Sequence, residues 1–182
     1  MGIFSILAFM DPAEYLAIIP LLIYGIGLTD LLSEWKRMFD KDDRNLLYII
    51  YTIILTEVAV YNVVIYVDLV NTFPHQTYAQ YLGYLLPPIL FMIVVNVFTP
   101  NPGSKTAEYF NDNISLIFIL MAIFIASHYF YSFEEPNRVM LQRGGFILLF
   151  LLTAYFKKKW MMYLISVLWL VGLVFKGGMM VG

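Results

Sequence analysis

A nearly unbroken apolar run from residue 46 to residue 70 sets the first limit on what this chain can become. As a helix it would be about 37 Å long, enough to cross a hydrocarbon core of about 30 Å. Comparable runs recur at 14–32, 81–98, 114–132, 139–156 and 161–175. Backbone in lipid must satisfy its own polar groups. Successive runs of this kind therefore predict an all-α polytopic membrane bundle of about six transmembrane helices joined by short loops. Composition agrees: 61% of residues are apolar and 13% charged, where soluble domains run near about 45–50% and about 25%. The whole chain reads as a single integral-membrane domain with no autonomous soluble domain, visible repeat or linker. It contains no cysteine, which excludes disulfides, thiolate metal sites and cysteine nucleophiles.

Some boundaries carry signals. Asp11, Pro12 and Glu14 mark a helix start as N-cap, first helical position and capping-box residue. Residues 2–10 lack a basic n-region and a cleavage site, so they read as an interfacial segment. Asn111-Asp112-Asn113 supplies N-cap residues for the fourth run. The fifth run reaches spanning length only if Arg143 enters the membrane, and the sixth is short. Lys36, Arg37, Lys41, Arg44, Lys105, Lys157, Lys158 and Lys159 fall on one side of the predicted bundle. Arg138, Arg143 and Lys176 fall on the other. By the positive-inside rule the first side is cytoplasmic and both termini are non-cytoplasmic. That expectation places a multi-pass protein in the cell's inner (plasma) membrane.

Glu57 lies near the middle of the 46–70 run. A charge at that depth costs at least about 2.5–3.5 kcal/mol unless it finds a partner. At about 1.5 Å per residue, Glu57 lies about 16 Å from the start of its run, His128 about 21 Å from the start of the fourth, and Arg143 about 20 Å from the end of the fifth. These depths predict one slab. Tyr61 and Asp68 share a helix face with Glu57. The group Glu57, Tyr61, Asp68, His128 and Arg143 is the candidate buried polar site or ion path. A Glu57–Arg143 pair that only pins the helices, with His128 as hydrogen-bond partner, is the plainer reading.

Pro87 and Pro88 interrupt the third run and deprive the carbonyls of Gly83 and Tyr84 of their helical donors. They are helix-break candidates, with a static kink as the plainer alternative. Gly25 and Gly27 permit close helix approach. Asp30, Glu34, Lys36 and Arg37 form a charged exit that either docks a partner or is simply solvated. Glu134-Glu135-Pro136-Asn137-Arg138 and the stretch from Phe124 to His128 echo motifs of intramembrane glutamate proteases. Their spacing and order are wrong for that chemistry. No pattern for a metal, a cofactor or nucleic acid is present.

Three stretches carry a resemblance. They are Glu14-Tyr15-Leu16 through Gly25-Ile26-Gly27-Leu28-Thr29-Asp30-Leu31-Leu32, then Phe98-Thr99-Pro100, and Tyr109-Phe110 before Asn113. In these the chain resembles a family of uncharacterised small bacterial six-helix inner-membrane proteins. Matching positions cover roughly a quarter of the chain, and Tyr61 and Tyr66 stand where that family often has tryptophan. The resemblance implies six spans and no activity. Small multispan proteins of this size also occur as accessories in bacterial defence loci.

The sequence thus favours an oligomeric pore or the membrane subunit of a larger system, a defence system being one candidate. Its partners would be membrane lipids and further copies or a partner protein. A proton- or ion-coupled transporter using Glu57, His128 and Arg143 is the alternative, and an intramembrane enzyme is a second.

Overall fold

The computed structural model describes residues 12–69, 77–130 and 137–177. The expectations for residues 2–10, Asp11, Glu134-Glu135-Pro136 and the tail from 178 onward lie outside the described residues. So do those resting on the side chains of Asp68, Arg138 and Lys176. The helices are α1 (Pro12–Glu34), a short α2 (Lys36–Phe39), α3 (Leu46–Leu69), α4 (Tyr78–Phe98), α5 (Thr106–Ser127), α6 (Asn137–Phe156) and α7 (Lys159–Gly177). A 3₁₀ turn, His128–Phe130, continues α5. Five of these helices are long and apolar enough to cross a membrane. In α7 the apolar stretch is shorter, Lys159–Leu173. The protein is a multi-pass membrane helix bundle.

The long helices close into a ring in the order α1, α4, α5, α6, α7, α3 and back to α1. Direction follows from paired residues. Tyr81 meets Leu16 while Phe91 meets Tyr24, so α1 and α4 run parallel. Tyr51 meets Met162 and Glu57 meets Trp169, so α3 and α7 also run parallel. Ser115 meets Ala154 and Tyr129 meets Met140, so α5 and α6 are antiparallel.

Rings of aromatic side chains fill the interior. At the lysine- and arginine-rich end, Tyr48 stacks on Phe98 with centroids 4.5 Å apart. Further along, Tyr51 packs on Phe118 at 5.2 Å and Phe118 on Phe150 at 5.8 Å. Phe91 bridges Tyr24 and Phe124. Helices in lipid gain little from burying apolar surface against each other, so close packing of this kind supplies much of the cohesion. Gly27 is one place where that packing demands a particular residue. A Cβ there would meet the Phe91 ring at 3.0 Å, while one on Gly25 would meet nothing.

Hydroxyl groups answer the backbone defects. Pro20 in α1 cannot donate to the carbonyl of Leu16; Tyr81 of α4 donates to it instead, at 2.7 Å. Pro88 leaves the Tyr84 carbonyl in the same position, and Tyr66 of α3 donates to that oxygen. Helix α4 therefore runs through Pro87 and Pro88, both buried, without an interruption. Of the two readings of these prolines, a broken helix is not what forms: the helix continues past both. Last-turn carbonyls are answered likewise: Tyr109 donates to Val97 at 2.9 Å and Ser115 to Ala154 at 2.8 Å. Each bond satisfies a group that would otherwise be costly in hydrocarbon and joins two helices.

Candidate functional site: ionisable groups inside the bundle

The expected slab changes once helix starts are known. Helix α5 begins at Thr106, not at 114, and Asn111 and Asp112 are exposed on its surface. His128 is therefore the C-cap of α5, about 33 Å from that helix's start. It lies level with Asn62 of α3, not with Glu57. Glu57 precedes Asn62 by five residues, about 7.5 Å along the axis and about 140° around it. The sequence estimate failed because it took the N-cap signal from the nearest local residues, whereas α5 is capped from another loop.

Glu57 points to the α3–α7 seam. It is half-buried, and its Oε2 accepts a hydrogen bond from the Trp169 indole N–H at 3.0 Å. Trp169 packs edge-on against Phe146 of α6 at 5.9 Å, which fixes the indole between three helices. His128 and Asn62 form a separate group. One ring nitrogen, Nδ1, lies 2.9 Å from the carbonyl of Phe124, and Nε2 lies 3.1 Å from Oδ1 of Asn62. Buried Asn62 in turn donates from Nδ2 to the carbonyl of Val58 at 2.8 Å. Tyr61 and Arg143 are half-buried on α3 and α6. Asp68 lies on α3, its side chain outside the described residues. Asn62 and Trp169 were missed in the sequence. The available signals were an amide in an apolar helix and an indole N–H in the last one, each needing a partner.

A small cavity of about 20 Å³ lies between α3, α5, α6 and α7, lined by Tyr51, Leu55, Val58, Phe124, Phe150 and Trp169 among others. A larger open groove of about 540 Å³ runs between α4 and the end of α5, beside Leu86, Leu90, Ile123, Ser127, Tyr129 and Phe130. Among the described residues, no three His, Asp or Glu side chains gather to hold a metal ion.

The charged exit of α1 folds back into the protein. Glu34 is buried. Its Oε2 lies 2.5 Å from Nε of Arg37 and accepts from the Tyr48 hydroxyl at 2.9 Å. Arg37 also bonds Asp43 at 2.9 Å. Asp43 accepts from the Thr106 backbone N–H at 2.6 Å and from the Thr106 hydroxyl. Lys105, the N-cap of α5, makes no side-chain cap bond, so Asp43 caps α5 in its place. Burial works against the Asp43 carboxylate, but the two Thr106 bonds and Arg37 outweigh it and hold its pKa below the usual value. Burial likewise works against Arg37, and its bond to Asp43 and the Glu34 charge more than compensate, so its pKa is raised. Of the four docking candidates, Asp30 and Lys36 are exposed, while Glu34 and Arg37 are engaged within the chain. Comparison with family models, with curated proteins and with solved structures finds no match to this chain.

Proposed function

We propose that the protein is a membrane subunit that works in an assembly, with further copies of itself or with a partner protein, and that the α3–α7 seam around Glu57 is its working face. The observation that supports this reading is the close aromatic packing that fills the ring. Glu57 sits on the flank of α3, next to outward-facing Ile53 and Val60. Ions or protons would then pass at the contact between subunits. The positive-inside rule puts the lysine- and arginine-rich end in the cytoplasm of a cell bounded by this membrane.

The chain has no native cysteine, so single-cysteine variants report cleanly. Val60→Cys should form disulfide-linked pairs of copies in native membranes. Lys105→Cys should react with an impermeant thiol reagent only after the cells are opened. Reconstituted protein should carry proton or ion flux that Glu57→Gln removes without loss of folding. A monomer with no flux and no co-purifying protein would overturn the reading.

A transporter coupled to protons is the second reading, supported by two separate ionisable groups in the span, Glu57 and His128. It differs in that a monomer would suffice for flux. An enzyme site at His128 needs a water-lined cleft. The groove between α4 and the end of α5 is lined mainly by apolar side chains and does not include His128, which favours the first reading.

A further inference from the structure

We propose that His128 and Asn62 form a proton-binding site within the membrane, in which an imidazolium joins α5 to α3. The inference comes from counting donors and acceptors. Nδ1 of His128 faces the carbonyl of Phe124 at 2.9 Å, and a carbonyl only accepts. Nε2 faces Asn62 at 3.1 Å. The orientation of the Asn62 amide is set on its other side, where Nδ2 lies 2.8 Å from the Val58 carbonyl. Turning the amide over would place two oxygens against each other there. Its Oδ1 therefore faces His128, and both ring nitrogens confront acceptors. A neutral ring has one N–H, so either tautomer leaves a lone pair against an oxygen. The protonated ring donates at both positions and satisfies every group in the chain from Phe124 to Val58.

A second observation points the same way. His128 is the C-cap of α5, where the last carbonyls present the negative end of the helix dipole and favour a cation. The Phe124 ring meets the imidazole edge-on, with centroids 4.8 Å apart. Several titratable groups lie on the elements around the ring. On α3 these are Glu57, Tyr61 and Asp68; on α4, Tyr84; in the same turn, Tyr129; and on α6, Arg143. The Glu57 carboxyl is bonded to Trp169 at the other seam, and the Tyr129 hydroxyl is bonded to the Met140 carbonyl. Between Asp112 and His128, α5 has no charged residue.

Losing the proton would turn one of the two contacts from attraction to repulsion. Breaking the Asn62 contact would release the end of α5, where the helix already tightens into a 3₁₀ turn beside the open groove. Proton occupancy and the α3–α5 contact are thus one equilibrium. This site stands independently of the assembly proposed above.

The test uses ¹⁵N-histidine-labelled protein in lipid bilayers and solid-state NMR. The chain has two histidines, so His75→Gln leaves His128 as the only signal. Both ring nitrogens should be protonated at neutral pH and hydrogen-bonded. In Asn62→Leu the doubly protonated signal should be lost at the same pH, while Asn62→Asp, which keeps an acceptor, should retain it. A single neutral tautomer in the protein with native Asn62 would overturn the proposal. So would a doubly protonated ring that persists in a folded Asn62→Leu variant. If Asn62→Leu does not fold, the measurement with native Asn62 and the Asn62→Asp variant still decides.

Discussion

Two carboxylic acids in this bundle are handled in opposite ways. Glu34, at the lysine- and arginine-rich end, is enclosed and answered by a guanidinium and a phenol. Glu57, inside the span, is half-buried, and an indole N–H is its bonded partner across the α3–α7 seam. The first arrangement completes a network that runs through Arg37 and Asp43 to the N-terminus of α5. The second joins a carboxyl group at the side of the bundle to the indole of the last helix. Enclosed charge at the water-facing end ties α1 to the start of α5, and the carboxyl group within the span ties α3 to α7.

The sharpest way to break this comparison is Arg37→Met. It should cost about 3–5 kcal/mol, because buried Glu34 would lose its cation and half-buried Asp43 its ion-pair partner. Equilibrium unfolding in detergent measures it. The same network predicts a pH dependence. Asp43 has a lowered folded pKa, so its stabilisation is complete above the unfolded value of about 3.9 and is lost as pH falls through the folded value. Asp43→Asn should remove that acid sensitivity.

Gly27→Val should cost about 1–3 kcal/mol by forcing the buried Phe91 ring aside. The same substitution at Gly25, where the space is open, should cost less, and thermal unfolding distinguishes them. Tyr81→Phe should cost about 1 kcal/mol by leaving the Leu16 carbonyl without its donor. In a Pro20→Ala background, which restores the helical N–H, that cost should shrink. A double-mutant cycle reads the coupling directly.

Smallest of all should be Glu57→Gln, which keeps an oxygen for Trp169 and should change stability by no more than about 0.5 kcal/mol. A loss of several kcal/mol would mean that Glu57 is the anchor of a structural ion pair, and the contrast with Glu34 would disappear.

The helical bundle, five of its long apolar helices and the ionisable groups within them were legible in the residues. They depend on run length and composition, which survive any arrangement of the helices. Which groups meet was not legible. These helices are apolar on nearly every side, so periodicity says little about which face turns inward. Axial level depends on true helix starts, and α5 takes its cap from Asp43 in a distant loop. Pro20 shows the same division. A proline and its orphaned carbonyl could be read from the chain, but only packing brings the Tyr81 hydroxyl to Leu16. The sequence alone determined that polar groups in this membrane would need partners. Tertiary structure decided that His128 takes Asn62 and Glu57 takes Trp169, because rotation and offset of packed helices set every such distance.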